Sequence, residues 1–397
     1  MLEFLFWSLL SLAVYTYVGY PIILFFLTKI KLKFVRPNQT IKKELPSLAL
    51  IIPAYNELEY LDQKIKNCFE LQYPSNLLKL IFVTDGSNDG SDLYLKKYEQ
   101  ITNYHLDERK GKIAAMNRVA PQIKADIIVF SDANAMLNKE ALMEIATRFN
   151  DPKVGCVAGE KRIVVEGKSK ATNAGEGFYW KYESALKNWS SQLNSAIGAA
   201  GELFAVRTEL FEAPKLDTIL DDFIISLSVV RKGFKIAYTK EAYALEYGSL
   251  TIQEEMKRKI RICTGGVQAI QRTLALLNPF RYPLFAFQYL SHRCLRWTIT
   301  PIALVLLIPI NTYLAYNEQD IYFFLGILQA LFYFLGFLGF LFKTQKLQNK
   351  FLFIPFYFLM MNFSALVGMK RFFFNEQSVL WEKSQRLKTV NTESPPL

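Results

Sequence analysis

The sequence contains few residues of the kinds that bind soft metals or form disulfides. Among its 397 residues are two histidines, His105 and His292, and four cysteines, at positions 68, 156, 263 and 294. The cysteines have neither the paired spacing of a zinc site nor the pattern of a disulfide framework. These absences argue against histidine-rich and Cys₂His₂ metal centres, and we expect four reduced thiols that contribute to packing.

Two phosphate-binding signatures are also absent. No Gly-x-Gly-x-x-Gly follows the first predicted strand, and no Gly-x-x-x-x-Gly-Lys occurs in the sequence. The first signature holds a dinucleotide at a helix N-terminus, and the second surrounds the phosphates of a nucleoside triphosphate. The sequence therefore argues against dinucleotide oxidoreductases and P-loop enzymes.

Acidic residues are fewer than basic ones, 36 against 47, which gives a net charge of +11. The excess lies at the two ends, because residues 1–45 carry +4, residues 46–280 carry +1 and residues 281–397 carry +6. A nucleic-acid-binding domain would concentrate basic residues, whereas the middle of this chain is almost neutral. We therefore expect no nucleic-acid partner. An apolar content of 51% also excludes a disordered chain.

The N-terminal end predicts a membrane anchor over residues 1–30. Phe4–Leu27 is a run of 24 uncharged residues, enough for a helix to cross a hydrocarbon layer of about 30 Å. It lacks the basic start and small-residue cleavage site of a secretory signal, which predicts an uncleaved anchor. Four basic residues follow it: Lys29, Lys31, Lys33 and Arg36. By the positive-inside rule, they place the next domain in the cytoplasm.

Residues 297–369 predict two or three further transmembrane helices. Trp297–Asn317 and Ile321–Phe342 form a helical hairpin with acidic residues in its turn and basic residues on both flanks. The third run, Phe351–Met369, has two interpretations. It either spans, which puts the basic tail 370–397 outside against the positive-inside rule, or it re-enters with a bend at Pro355.

Residues 281–296, just before the hairpin, have a polar stripe on an otherwise apolar helix. Gln288, His292 and Arg296 recur at spacings of four and therefore share one face. This pattern is typical of a helix that lies in the membrane interface. The alternative is a transmembrane helix that starts early.

Residues 45–275 change to an alternation of strands and helices. Leu48–Ile52, Leu80–Thr84 and Ile127–Phe130 are typical of strands buried on both faces. Helical spacing over Glu59–Leu71 and Lys112–Ile123 separates them, which predicts an α/β domain with a mostly parallel sheet. Such sheets bind ligands at the carboxyl ends of their strands.

Three polar segments directly follow the predicted strands, at 53–57 (PAYNE), 85–91 (DGSNDGS) and 131–134 (SDAN). Each alone is compatible with ordinary turns and helix caps. Together, in order and at strand ends, they predict a ligand site at one edge of the sheet.

With four more segments, these motifs resemble the glycosyltransferase family 2 proteins of GT-A fold, in the membrane-bound branch that includes hyaluronan, cellulose and poly-N-acetylglucosamine synthases. The seven segments are IIPAYNE (51–57), TDGSNDGS (84–91), KGKIAAMN (110–117), FSDANA (130–135), GAAGELFAVR (198–207), ILDDF (219–223) and RKIRICTGG (258–266). The resemblance implies a Rossmann-like GT-A sheet with flanking helices and inverting transfer from a nucleotide-diphosphate sugar. A UDP-sugar is the expected donor.

The resemblance assigns nucleotide recognition to Pro53, Tyr55, Glu57 and Asp85. Tyr55 would stack on the base, and Asp85 would accept a hydrogen bond from a base N–H. Lys112 resembles the family's lysine near the diphosphate, although a solvated lysine at a helix start has the same pattern.

The implied cofactor is Mg²⁺ or Mn²⁺, held against the diphosphate by an Asp-x-Asp motif. Asp132 resembles the first residue of that motif, and Asn134 replaces the second carboxylate with a neutral oxygen donor. Because Mg²⁺ often takes only one or two carboxylates besides substrate phosphates, Asp132 with the diphosphate suffices.

The resemblance places the acceptor chemistry in two later segments. Asp222 aligns with the general base, with Asp221 as a helix N-cap; the alternative is that both are structural. Arg258 and Arg261 share one helix face and resemble Gln-x-x-Arg-Trp, whose arginine stabilises the departing diphosphate. This chain has Arg at the first position and Ile262 instead of Trp, and a solvated basic helix is the alternative. The small residues of 198–201 either shape the acceptor pocket or pack a strand against a helix.

The predicted protein is an inverting glycosyltransferase of the cell membrane with a cytoplasmic catalytic domain. Its acceptor is either a growing polysaccharide or a polyprenyl-linked glycan for capsule, O-antigen or exopolysaccharide assembly. The missing tryptophan and the few spans weaken the processive alternative. A pseudoenzyme that binds nucleotide-sugar as a scaffold is the rival class, and a transporter is weaker because the spans lack intramembrane charge.

Overall fold

The computed structural model describes residues 1–34, 44–164, 170–249, 251–317, 320–342 and 350–378. The expectations that concern Arg36 and most of the basic tail lie outside these residues.

The chain begins with a long apolar helix. Helix α1 (Leu2–Val14) continues through one π-helical turn at Tyr15–Gly19 into α2 (Tyr20–Phe34). Together they span 33 residues and contain an 18-residue stretch with a mean hydropathy of 1.8, which is long and apolar enough to cross a membrane. The structure thus has a candidate transmembrane helix at the predicted N-terminal position.

The central domain contains eight strands and seven helices among the described residues. In chain order they are β1 (Leu48–Ala54), α3 (Leu58–Phe69), β2 (Leu78–Asp85), α4 (Ser91–Leu95), β3 (Ile101–Leu106), α5 (Lys112–Val119), β4 (Ile127–Phe130), β5 (Met136–Leu137), α6 (Ala141–Arg148), β6 (Val154–Val164), α7 (Lys170–Leu193), β7 (Phe204–Arg207), α8 (Asp221–Arg231), β8 (Lys235–Tyr247) and α9 (Ile252–Arg272). The three predicted strands are β1, β2 and β4, and the two predicted helices are α3 and α5.

All eight strands form one sheet in the order β3-β2-β1-β4-β7-β6-β8-β5. Six of them run in one direction, and β7 and β5 run antiparallel to their neighbours. The predicted mostly parallel α/β sheet is therefore confirmed.

The central strands are apolar throughout because both faces of the sheet are covered. In β1, Ala49 and Ile51 point into one core cluster, whereas Leu48, Leu50 and Ile52 point into the cluster on the opposite face. Alternate residues of a strand face opposite sides, so a strand between two cores needs apolar residues at every position. All four cysteines are buried, and none forms a disulfide.

The C-terminal part is helical. It comprises α10 (Pro283–Tyr289), a π-helical turn at Leu290–Cys294, α11 (Leu295–Trp297), α12 (Ile299–Asn317), α13 (Ile321–Leu341) and α14 (Lys350–Phe373). By length and composition, α12, α13 and residues 351–373 of α14 can each cross a membrane. Pro355 lies inside α14 without interrupting it. The third apolar run is thus one continuous helix, which favours a span over a re-entrant bend.

Helix α14 packs against both α13 and the catalytic-domain helix α9. At Gly368 the contact with α9 is so close that an added Cβ would lie 2.7 Å from Cys263 Cβ. No side chain fits between the two helices at that point.

The polar stripe of residues 281–296 faces the catalytic domain. Gln288 donates to the carbonyl of Ser190 at 3.0 Å. The Glu183 carboxylate of α7 pairs with Arg296 and lies 3.3 Å from both His292 Nε2 and Arg293 Nη1. These contacts join the segment before α12 to the catalytic domain.

The charges of this cluster, which we call the Glu183 cluster (Glu183, His292, Arg293, Arg296), follow from burial and pairing. Burial alone would raise the pKa of Glu183, but Arg293 and the other basic groups hold that pKa well below its usual range. Burial lowers the pKa of His292 to about 3, so the imidazole is neutral near pH 7. One carboxylate therefore faces two guanidinium groups.

We predict that Glu183→Gln lowers the free energy of unfolding by about 3–5 kcal/mol, because it leaves buried guanidinium groups without their counter-charge. Thermal unfolding of the full chain in detergent measures this. The control is Glu212→Gln, because Glu212 pairs with Arg231 and Lys232 at a half-exposed site. That control should change stability by less than about 0.5 kcal/mol. Equal midpoints for the two variants would contradict the predicted role of Glu183.

Candidate active site

The three polar segments meet because β1, β2 and β4 are parallel neighbours. Ala54 pairs with Thr84 in β2, and Ile51 pairs with Phe130 in β4, so the strands end at one edge of the sheet. A cleft of about 110 Å³ lies at that edge. It is lined by all seven residues predicted for the donor and the metal: Pro53, Tyr55, Glu57, Asp85, Lys112, Asp132 and Asn134.

The first two segments hold each other in place. Asn56 has a positive φ of 52°, and its amide exchanges two hydrogen bonds with Asn88, both of 2.9 Å. Asp89 accepts from the backbone N–H of Leu58 at 3.0 Å. These polar residues therefore fix the loops that present the neighbouring side chains to the cleft.

Asp85 is buried at the end of β2 with one oxygen bound and one available. Its Oδ2 accepts from the backbone N–H groups of Lys110 at 2.9 Å and Gly111 at 2.6 Å. Its Oδ1 has no hydrogen-bond partner among the described residues. Because a buried acceptor without a partner is costly, this oxygen is suited to accept from a ligand N–H.

Arg109 is a cleft residue that sequence reasoning missed. Its guanidinium lies 3.8 Å from the centre of the Tyr55 ring, the residue predicted to stack on a base. The run Arg109-Lys110-Gly111-Lys112 concentrates positive charge beside the predicted lysine, and that concentration was the available signal. The stack gives the cleft a cationic wall next to its aromatic one.

Lys112 lies between two carboxylates and is not a solvated lysine. Its Nζ is 2.8 Å from Asp132 Oδ1 and 3.5 Å from Asp221 Oδ2. Burial alone would lower the pKa of Lys112, but Asp132 and Asp221 raise it. Burial raises the pKa of Asp132, and Lys112 opposes that shift. The ammonium group is therefore charged and aimed at the predicted metal-binding carboxylate.

Asp221 and Asp222, the acidic pair, stand at the start of α8. Asp221 is not the N-cap residue that the sequence predicted. The N-cap residue is Leu220, and the helix begins with Asp221 itself. Asp222 Oδ1 accepts from the N–H of Phe223 at 2.8 Å, while Asp221 points toward Lys112. Burial and the neighbouring Asp221 raise the pKa of Asp222 to about 7. A carboxylate with that pKa can accept a proton near neutral pH.

The small residues of 198–201 permit close packing at one position and leave space at another. Gly198 has a φ of +84°, and an added Cβ there would overlap the Phe223 ring. A Cβ on Gly201 would instead lie 3.1 Å from Lys112 Nζ, 3.5 Å from Asp222 Oδ2 and 3.8 Å from Asp132 Oδ2. Gly201 thus keeps space open where three charged groups converge.

The two arginines of α9 have different surroundings. Arg261 donates to the Ile219 carbonyl at 3.3 Å, on the loop before the acidic pair. Burial lowers the pKa of Arg261, whereas Asp221, Asp222 and Asp132 oppose that shift. Arg261 therefore belongs to the cluster of charges at the cleft.

Arg258 belongs to a second set of ion pairs. It lies 2.8 Å from Glu255 and 4.0 Å from Glu246, and Glu246 pairs with Lys161. Lys161 also pairs with Glu202, in the segment that contains Gly201. The structure thus gives Arg258 direct contacts with buried acids and separates its surroundings from those of Arg261.

The oxygen atoms available in the cleft fit a divalent metal that the substrate also helps to coordinate. The described residues contain no group of three or more His, Cys, Asp and Glu side chains that could hold a metal. Asp132 and Asn134 line the same cleft and offer hard oxygen donors. Two such donors suit Mg²⁺ or Mn²⁺ when phosphate oxygens and water complete the coordination.

This sheet and this cleft define a nucleotide-sugar transferase of GT-A type. Residues 46–265 match the family described as glycosyltransferase like family 2, which covers more than half of the chain. The protein belongs to that family.

Two proteins of known function with similar sequences agree with this family assignment. The chain is 23% identical over 298 residues to poly-beta-1,6-N-acetyl-D-glucosamine synthase of Staphylococcus aureus strain COL, covering 72% of this chain and 71% of that protein. It is 29% identical over 182 residues to beta-monoglucosyldiacylglycerol synthase of Nostoc sp., covering 43% of this chain and 37% of that protein.

The fold also matches a solved structure. A mannosyltransferase from Pyrobaculum calidifontis, in complex with GDP-Man and Mn²⁺, superposes with a TM-score of 0.70 at 20% identity. The match covers 95% of this chain and 100% of that one. The predicted GT-A fold and glycosyltransferase activity are confirmed at the level of the family, and the roles of individual residues stay predictions.

We predict that transfer activity falls about tenfold per pH unit below about pH 7, because protonated Asp222 cannot accept the acceptor proton. The measurement is kcat/KM between pH 5 and 9. Asp221→Asn removes the neighbouring charge that raises the pKa of Asp222, so the inflection should move to lower pH. An inflection that stays in place in Asp221→Asn would contradict the assignment.

Proposed function

We propose that this protein is a membrane-embedded, metal-dependent enzyme that transfers a sugar with inversion from a nucleotide diphosphate to a glycan, with Asp222 as the general base. The observation that carries this proposal is the convergence of Lys112, Asp132 and Asp222 around the open space at Gly201. The acceptor is a growing polysaccharide or a lipid-linked glycan.

The donor end of the cleft would bind the nucleotide. The available Oδ1 of Asp85 accepts from a base N–H, and Tyr55 with Arg109 contacts the base or ribose through aromatic and cationic surfaces. Pro53 and Glu57 line the same end. We propose a UDP-sugar, which requires a direct test because the solved structure of similar fold contains GDP-Man.

The diphosphate would lie toward Lys112 and Arg261. These two side chains hold fixed positive charge where negative charge develops on the leaving group. Asp132 and Asn134 would hold Mg²⁺ or Mn²⁺ there. The metal, when bound, would neutralise part of the diphosphate charge and thereby make it a better leaving group.

The acceptor hydroxyl would approach over Gly201. Its oxygen forms the bond to the anomeric carbon while the bond from that carbon to the diphosphate oxygen breaks, and the hydroxyl proton passes to Asp222. Attack opposite the leaving group inverts the anomeric carbon. Asp221 holds Lys112 beside this base and keeps the pKa of Asp222 high.

The long apolar helices support a proposal for how the chain is placed in the membrane. We propose that residues 1–30 anchor the chain, that 45–275 form a catalytic domain on the cytoplasmic side, and that 297–369 cross the cell membrane, followed by the basic tail 370–397. Four apolar helices of sufficient length and the basic end of α2 support this. Residues 281–296 would lie at the membrane surface and contact α7 through the Glu183 cluster.

The two acceptors have different support. The Staphylococcus aureus relative is named for a polysaccharide product, and the Nostoc relative for a glycolipid product. Ile262 at the position of the family tryptophan packs against the core, which favours the lipid-linked acceptor. Product size after extraction separates them, because polymerisation gives long chains and the lipid-linked route gives single additions.

We predict that Asp222→Asn lowers transfer from radiolabelled nucleotide-sugar by about 10²–10⁴-fold, as expected for the loss of a general base. The assay is a screen of nucleotide-sugars with detergent-solubilised full chain and a lipid extract. Asp217→Asn is the matched control, because Asp217 is an exposed residue of the loop before α8 and pairs with Arg272 at the end of α9. Unchanged transfer by Asp222→Asn would disprove the base assignment, and no nucleotide release with any donor would favour a scaffold.

We predict that chelation abolishes turnover and that Mg²⁺ or Mn²⁺ restores it. Asp132→Asn should not be rescued by added metal, because it removes the only charged oxygen donor among the two proposed ligands. Asn134→Asp should lower the metal concentration for half-maximal rate, since it adds a second carboxylate. A metal dependence identical in the wild type and both variants would show that the metal binds elsewhere.

A further inference from the structure

Two neighbouring cavities are lined by the membrane helices, and one of them also borders the catalytic domain. The arginine cavity, of about 210 Å³, contains Arg293, Arg296 and Trp297. The apolar cavity, of about 510 Å³, lies between α1, α12, α13 and α14. Phe358 and Asn362 of α14 line both cavities, so the two spaces are neighbours.

The arginine cavity is lined by two basic side chains, Arg293 and Arg296. Both guanidinium groups pair with the Glu183 carboxylate, beside a neutral His292. Arg293 Nε is buried and has no hydrogen-bond partner among the described residues. This N–H can donate to a bound anion, and phosphate suits the planar donor geometry of a guanidinium group.

The apolar cavity has the opposite character and lies deeper along the membrane helices. Its walls are side chains such as Leu307 and Phe332, with few polar groups such as Asn311. Leu304 on its wall lies in α12, the helix that follows the segment with Arg293 and Arg296. A charged end near the membrane surface and a hydrocarbon end below it are the two parts of a lipid.

Other ligands fit this pair of cavities less well. A glycan would need hydrogen-bonding groups along its whole length, whereas most side chains that line the apolar cavity are hydrocarbon. A free anion would use the arginines and leave the apolar cavity without an occupant. An amphiphile uses both.

The arginine cavity also adjoins the proposed active site. Trp297 lines it, and the Trp297 ring lies 5.4 Å from the ring of Phe223, the residue after Asp222. A head group on the two arginines would therefore lie beside an aromatic pair that includes the residue next to the proposed base.

We propose that the two cavities together bind one anionic, phosphate-bearing lipid, with its phosphate on Arg293 and Arg296 and its hydrocarbon in the apolar cavity. The lipid is either a polyprenyl phosphate on the acceptor route or an anionic phospholipid of the bilayer. The inference rests on the proposed membrane placement and requires no turnover.

The test uses delipidated full chain in detergent, without donor sugar. Thermal midpoints are measured against added phosphatidylglycerol, phosphatidylcholine and a polyprenyl phosphate, because a ligand of the folded state raises the midpoint. Both anionic lipids should stabilise the protein and phosphatidylcholine should not. A preference for the polyprenyl phosphate identifies the acceptor route, and equal affinities identify a bilayer phospholipid.

Two variants locate the binding. Arg293→Gln should weaken binding about tenfold by removing one charge, and Met361→Trp should weaken it by filling the arginine cavity without a charge change. Arg281→Gln, an exposed basic residue of the same segment, is the matched control. Equal stabilisation by phosphatidylcholine, or unchanged affinity in both cavity variants, would overturn the proposal.

Separate measurements distinguish failure of the proposed function from failure of the lipid site. Release of the chain from membranes by an alkaline wash would contradict the membrane placement, and absent turnover would contradict the enzymatic roles. A chain that stays in the membrane and turns over donor, but binds lipid independently of Arg293 and Met361, contradicts only the lipid site.

Discussion

One buried carboxylate joins the two halves of this protein. Glu183 stands on α7 of the catalytic domain, and its partners Arg293 and Arg296 stand on the segment that leads into α12. A buried charge is costly without a partner, so α7 and this segment must keep their relative positions. The position of the central domain relative to α12 depends in part on that constraint, because Glu183 and its two partners lie on opposite sides of the contact.

Buried charges in the cleft are also paired with charges of opposite sign. Lys112 balances Asp132 and Asp221, while Asp222 is left with a raised pKa. A site that must receive a metal and a diphosphate needs groups whose charges can be redistributed when they arrive. The ammonium of Lys112, which pairs with Asp132 in this structure, would be available to a phosphate group if Asp132 held a metal as proposed.

The sequence correctly predicted the central sheet and the meeting of three polar segments at one edge of it. Strands β1, β2 and β4 were recognisable because two cores require unbroken apolar runs, and parallel neighbours bring their polar ends together. The spacing of residues along a helix does not show which residues of other elements they contact. It put Arg258 and Arg261 on one face, but only tertiary packing reveals that Arg258 contacts Glu255 and Glu246.

The polar stripe of 281–296 illustrates the same limit. Its spacing predicted one polar face, and the partner of that face, Glu183, is more than 100 residues away in the chain. Arg109 was missed for a related reason, since its stacking on Tyr55 joins two loops that are adjacent only in the folded sheet.

The close contact at Gly368 has a practical meaning for how this enzyme can be handled. Helix α9 carries Arg261 on one side and receives α14 on the other, with Cys263 directly against Gly368. A chain truncated near residue 275 to obtain a water-soluble enzyme would lose α14 and expose that apolar side of α9 to solvent. The last apolar helix is thus part of the wall behind the active site, and the catalytic domain has no clean edge at which to divide it from the membrane part.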